Sequence, residues 1–198
     1  FISKVPPNCA IEDIVSCCEA SIFDLKAKNL YALMLHHGEH LLGKNGDKIY
    51  QQLKRAKQRG LCTKIGCSVY SAQQAVEISQ RFAIDIVQIP ANIFDQEILH
   101  NNRLTQLKAQ NIEVHIRSLF LQGAIFLDEQ KLPEHLLPLA EKLALMKSYV
   151  KQYQQSLVTL ALAPFVQHPL IDKIVLGCCQ TKELAQIVTD YQAAKQIT

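Results

Sequence analysis

No block of roughly five or six like charges occurs in this 198-residue chain, and its formal charge of +3 is spread along its length. Without a concentrated positive field there is nothing to hold a phosphate backbone, so nucleic acid is not expected as a partner. Long apolar runs are also missing: none approaches the roughly 18 residues that a membrane span needs. The opening Phe1-Ile2-Ser3-Lys4-Val5 lacks the basic start and extended apolar core of a signal peptide. A cytoplasmic protein with no membrane partner is expected. Seven cysteines stand at positions 9, 17, 18, 62, 67, 178 and 179, and no CxxC or zinc-ribbon spacing occurs among them. They read as reduced thiols, mostly buried; neighbouring pairs such as Cys17-Cys18 and Cys178-Cys179 cannot bridge internally without strain. No internal repeat or low-complexity segment interrupts the chain.

What the sequence does contain is an alternation of short β-branched runs with longer helical stretches, the pattern that yields a parallel sheet with helices packed outside it. Six strands are predicted, at Phe1–Val5, Tyr31–His36, Lys64–Ser68, Ile84–Ile89, Glu113–Ser118 and Lys173–Gly177. Helices are predicted at about 11–26, 48–59, 71–82, 102–110, 134–153, 156–167 and 181–195, with Ser71 and Thr181 as N-caps and Gly60 and Pro169 at exits. Residues 123–133 read as a longer loop.

Side chains alternate faces along a strand, so the polar residue closing each strand can be assigned to one side of the sheet. Lys4 shares a face with Ile2, His36 with Met34 and Ala32, Ser68 with Gly66, Gln88 with Ile86, and Arg117 with His115. Five polar groups thus gather at the C-terminal mouth of a sheet, where barrel enzymes place their chemistry. His115, one layer below Arg117, reads as a satisfied core histidine. His36-His37-Gly38-Glu39-His40 matches no standard zinc motif, and no metal is expected.

These residues also carry a resemblance that covers essentially the whole chain. Tyr31-Ala32-Leu33-Met34-Leu35-His36-His37 resembles the aldo/keto reductase strand that ends in a catalytic histidine, and Phe1-Ile2-Ser3-Lys4-Val5 the strand carrying the catalytic lysine. Ile65-Gly66-Cys67-Ser68-Val69-Tyr70 is similar to the family's "GVSN" element and Ile86-Val87-Gln88-Ile89-Pro90-Ala91-Asn92 to "VVQ…N". Arg117-Ser118-Leu119-Phe120-Leu121-Gln122-Gly123 resembles "YSPLxxG", and Val175 to Leu184 the strand and turn that open the last helix. The resemblance implies a (β/α)8 TIM barrel, here a single domain over 1–198. Because such barrels need roughly 250 residues, about the first two βα units are expected ahead of Phe1.

The activity implied is reduction of a small-molecule carbonyl substrate with NADPH or NADH, hydride passing to carbon while a tyrosine hydroxyl protonates oxygen. In that scheme Lys4 lowers the tyrosine's pKa and His36 orients the carbonyl, whereas the tyrosine and its aspartate are expected upstream. Ser68 and Gln88 would hold the nicotinamide carboxamide; Ser118, Leu119, Gln122 and Gly123 would line the pyrophosphate path. Gly177, Cys178, Gln180 and Glu183 would take the adenosine end, where free N–H groups at a helix start favour anions.

Three departures bear on the cofactor. Val69 replaces a usual asparagine. Arg117 replaces the aromatic residue that stacks on the nicotinamide, and can stack in its place or reach an anion. Glu183 stands where a cation often meets the 2′-phosphate of NADP, so NADH is expected to be favoured. Two other readings stay open at this point, a non-catalytic barrel and an anion-recognising lyase or isomerase using Lys4 and Arg117. Open sheet edges are expected to promote self-association, and the segment alone is not expected to turn over carbonyls.

Overall fold

The computed structural model describes residues 1–197. Its backbone forms two compact units, one of residues Phe1–Ile89 and Asn101–His115, the other of Pro90–His100 and the described residues from Ile116 onward. The strands are β1 (Ile2–Val5), β2 (Leu30–Leu35), β3 (Cys62–Ser68), β4 (Ile86–Pro90), β5 (Glu113–Arg117) and β6 (Lys173–Ile174), and their order in the sheet follows the chain. Helices α1 (Ile14–Asp24), α2 (Glu39–Leu42), α3 (Gly46–Gln58), α4 (Ala72–Arg81), α5 (Arg103–Ala109), α6 (Ala140–Tyr153), α7 (Leu157–Val166) and α8 (Thr181–Ala194) separate them. This is the β-then-α alternation that the sequence predicts. None of the helices is long and apolar enough to cross a membrane, among the described residues.

In the first unit the pairs β1–β2, β2–β3 and β3–β4 are all parallel, and their register decides which side chains share a face. Lys4 lies level with Met34, Met34 with Gly66, and Gly66 with Ile86. One face therefore carries Ala32, Met34 and Ile86, a fully buried cluster with Ile2 packed against it. On the other face Leu33 is level with Ile65, and Leu35 with Cys67. All four are buried, as strands covered on both sides require.

The helices of this unit follow from their apolar spacing. Ile49, Leu53 and Ala56 recur along one side of α3, and Ala72, Ala75, Val76 and Ser79 along one side of α4, and all are buried. Ser71 caps α4 as expected, its Oγ accepting from the Gln74 N–H at 3.2 Å.

In the second unit Ile125, Leu143, Met146 and Ala161 form a buried cluster. Nearby, α7 and α8 are joined by Asp190, which is 4% exposed and accepts from Ser156 Oγ at 2.8 Å, Thr159 Oγ1 at 3.1 Å and Gln186 Nε2 at 3.1 Å. Three donors satisfy a carboxylate that burial alone would disfavour.

Several local expectations are corrected. The helix predicted from 134 opens as a tight 3-10 turn, Glu134–Leu139, before α6 begins at Ala140. Pro138 sits in that turn, where its missing N–H and rigid ring block regular α-helical bonding. The N-cap of α8 is Gln180, not Thr181, because Glu183 completes a reciprocal capping box with it. Strand β6 has two residues instead of the five predicted, although the Val175 N–H still donates to the Ile116 carbonyl at 2.8 Å. The expected loop at 123–133 is entered through a kinked 3-10 segment, Leu121–Phe126, whose Gln122 and Gly123 are not helical. Burial of the cysteines holds for Cys18, Cys62 and Cys67 but fails for Cys178 and Cys179, which are exposed, and for Cys9 and Cys17, which are half-buried.

Candidate functional site

The site in the first unit is built at the C-terminal ends of β1 to β4. Lys4 is level with Met34, on the face of the Ala32, Met34 and Ile86 cluster, and His36 follows β2 directly, its N–H donating to the Val5 carbonyl at 3.3 Å. Ser68 is level with Gln88 at the next two strand ends. By strand alternation, Lys4, Gly66, Ser68, Ile86 and Gln88 belong to one face, as the sequence parity predicts. Ser68 is 2% exposed and Gln88 4% exposed, so both polar groups are withdrawn from water.

Their states differ. The Ser68 Oγ is buried and has no hydrogen-bond partner among the described residues. The Val69 N–H donates to the Gln88 carbonyl at 2.9 Å, so Val69 serves the backbone ladder and adds no side-chain donor. Gly38 brings the segment after His36 against β3: its N–H donates to the Ser68 carbonyl at 2.8 Å. A Cβ at Gly38 would lie 2.8 Å from that same oxygen, so only glycine permits this approach. The His37 Nδ1 is 2.8 Å from Glu39 Oε1, and the rings of His37 and Tyr70 have centroids 6.0 Å apart. Burial alone would raise the Glu39 carboxyl, but hydrogen bonds from its own N–H and from His37 hold it below its ordinary range.

At the opposite, N-terminal ends of the strands a second polar group occurs. Glu113 is 8% exposed; its carboxylate accepts from Tyr31 Oη at 2.5 Å, from the Lys64 ammonium, and from His115 Nε2 at 2.6 Å. Burial would raise the Glu113 carboxyl, but the hydrogen bonds from Lys64, Tyr31 and His115 outweigh it and hold it at about 2. His115 is buried as a core histidine, as its place in the sequence predicts, although its Nδ1 has no partner among the described residues. Nothing local in the sequence links residues 31, 64 and 113, so this cluster is not visible until the sheet forms.

The second unit contains a concavity of about 380 Å³ whose wall includes Ser118, Gln122, Gly123, Gly177, Cys178 and Glu183. Leu119, at 1% exposed, also borders it, and Arg117 donates through Nη1 to Ser118 Oγ at 3.1 Å. The segment after β5 is conformationally strained: Ser118, Leu121 and Gln122 have φ of 68°, 49° and 56°, beside Gly123 at 93°. Left-handed non-glycine residues cost about 1–2 kcal/mol each and concentrate at binding loops. Phe120 and Phe126, with centroids 5.5 Å apart, add aromatic surface to this wall beside Leu119, Val175 and Leu176. Their spacing in the sequence carries no signal for that role.

At the start of α8 the expected free N–H groups are in part already used. The Glu183 carboxylate accepts from the N–H of Cys179 at 2.7 Å and of Gln180 at 3.1 Å. The negative charge favoured at this helix end is therefore the protein's own.

A model of the aldo/keto reductase family matches residues 2–195. The chain belongs to the aldo/keto reductase family. No curated protein is significantly similar to it. Among solved structures, this aldo/keto reductase chain resembles the holo form of the aldo-keto reductase AKR11C1 from Bacillus halodurans, with a TM-score of 0.74 and 18% identity over 100% of the chain. It also resembles the thermostable aldo-keto reductase Tm1743 in complex with epalrestat, with a TM-score of 0.68 and 15% identity over 100% of the chain. It spans 66% of the length of each. The likeness establishes the fold, a parallel sheet with alternating helices belonging to the (β/α)8 barrel.

Proposed function

We propose that this chain forms the greater part of an NAD(P)H-dependent oxidoreductase that reduces an aldehyde or ketone to an alcohol. The observation that carries this reading is the Ser68 hydroxyl, buried without a partner on the same sheet face as Lys4 and beside Gln88. Leaving a buried hydroxyl unsatisfied costs about 1–3 kcal/mol, and a ligand that bonds to it recovers that energy. A carboxamide, with both donor and acceptor atoms, suits Ser68 and Gln88 together, and holding it fixes which ring face is presented. The bound nicotinamide would supply the hydride. Lys4 would lower the pKa of the proton-donating hydroxyl, and His36 would donate to the carbonyl oxygen and orient it. In the second unit Ser118, Leu119, Gln122 and Gly123 would take pyrophosphate, Gly177, Cys178 and Gln180 the adenosine end, and Arg117 an aromatic ring face or an anion.

The test is Ser68→Ala. A structural hydroxyl lost from a hydrogen-bonded site would destabilise the protein; here the ligand-free protein is expected to gain about 1 kcal/mol, read by thermal unfolding. The same variant is expected to bind nicotinamide cofactor about tenfold more weakly, a loss of one hydrogen bond to a buried partner. Lowered stability with unchanged cofactor affinity would remove the basis of the reading.

Glu183 extends the proposal to the choice of cofactor. Its carboxylate already sits on the Cys179 and Gln180 N–H groups, so a 2′-phosphate there would meet both a negative charge and occupied donors. NADH is expected to bind more tightly than NADPH, and Glu183→Gln to narrow the difference. Titration of both cofactors checks this, and equal or tighter NADPH binding by the unmodified protein contradicts it.

A further inference from the structure

The seven cysteines divide by environment into three kinds. Cys18, Cys62 and Cys67 are buried, out of reach of solutes. Cys178 and Cys179 are exposed but adjacent in sequence, where a bridge is strained. Cys9 and Cys17 differ from both: they are half-buried, eight residues apart, and their sulfurs lie 3.1 Å from each other. Cys9 belongs to the turn after β1, closed by its N–H to the Pro6 carbonyl at 3.1 Å, and Cys17 to the first half of α1. A disulfide needs about 2.05 Å between sulfurs, so the two have only about 1 Å to close.

We propose that Cys9 and Cys17 are a site of reversible oxidation, forming an intramolecular disulfide with a peroxide and reopening with a dithiol. The Cys17 sulfur attacks the peroxide oxygen; the O–O bond breaks, a sulfenic acid forms on Cys17 and the first water leaves. The Cys9 sulfur then attacks the Cys17 sulfur; the S–O bond breaks, the S–S bond forms, and the Cys9 proton departs with the second water. Two electrons pass from the two sulfurs to the peroxide. Burial, and then the adjacent Cys17, push the Cys9 thiol up to about 12, which makes Cys9 a poor first nucleophile toward peroxide and leaves it the resolving step. Reduction by a dithiol runs through a mixed disulfide and returns both thiols. The bridge ties the turn that directly follows the strand of Lys4 to α1, and in a reducing compartment it would be transient.

The full chain is treated with hydrogen peroxide, free thiols are alkylated, and the protein is cut after Glu12 and Glu19, which separates Cys9 from Cys17 along the backbone. The expected result is that the two fragments stay joined, with the mass of two hydrogens missing, and separate on addition of dithiothreitol. Because Cys18 shares the Cys17 fragment, Cys18→Ser should retain the joined product, and Cys17→Ser and Cys9→Ser should abolish it. Fragments that part without reductant, a link that survives Cys17→Ser, or a bridge found only between two chains would each overturn the assignment. The mapping of the unmodified chain decides the matter even if a variant fails to fold.

Discussion

Replacing Lys4 by methionine is expected to lower kcat/KM for carbonyl reduction by about 10²–10⁴-fold, the range spanned by loss of a positioned acid–base partner. Lys4 is level with Met34 on a sheet face that also holds Ala32 and Ile86, and methionine keeps an unbranched apolar stem at that position. What is removed is the ammonium alone. If that charge acts on the proton donor, the loss falls on turnover, and NADH affinity stays within about twofold. If Lys4 were only a solvated strand end, Lys4→Met would leave turnover intact. Steady-state kinetics of the protein that carries this chain, together with a cofactor titration, separate the two results.

The second large effect concerns folding. Glu113→Ala is expected to destabilise the protein by about 3 kcal/mol, because it leaves the Lys64 ammonium and the buried His115 ring without their shared acceptor. The same carboxylate makes stability depend on pH in a defined direction. Its folded value is about 2 against an ordinary 4.5, so the contribution is complete above about 4.5 and is lost as the pH falls toward 2. Lys64 acts at the other extreme. Glu113 raises its ammonium above the ordinary 10.5, although burial by itself lowers it, so its share persists through neutral pH and is lost only when the pH rises past 10.5. Urea unfolding between pH 2 and pH 5 should show a slope in the unmodified protein that Glu113→Gln lacks. Equal slopes in the two proteins would assign the acid sensitivity to other carboxylates.

The strand-end residues are legible in the sequence because strand parity is a local property. Once β1 to β4 are placed, alternation alone puts Lys4, Ser68 and Gln88 on one face, and the observed register agrees. The capping box at α8 also has a local signal, a glutamate three residues after the cap, and its consequence for the helix N–H groups follows from it. The cluster around Glu113 has none: its partners are 82 and 49 residues away in Tyr31 and Lys64. The same holds for Phe120 and Phe126 in the wall of the second unit's concavity, and for the strained backbone at Ser118, Leu121 and Gln122.

Strand and helix periodicity, with the order of its short motifs, determined the architecture of this chain and the sheet face of its polar strand ends, since both depend on neighbours a few residues apart. Tertiary structure alone decided which of those polar groups are satisfied. Ser68 is left without a partner, Glu113 gathers three, and the Cys9 and Cys17 sulfurs meet. Hydrogen bonding and burial are properties of a filled volume, and side chains remote in sequence share that volume only after the backbone has folded.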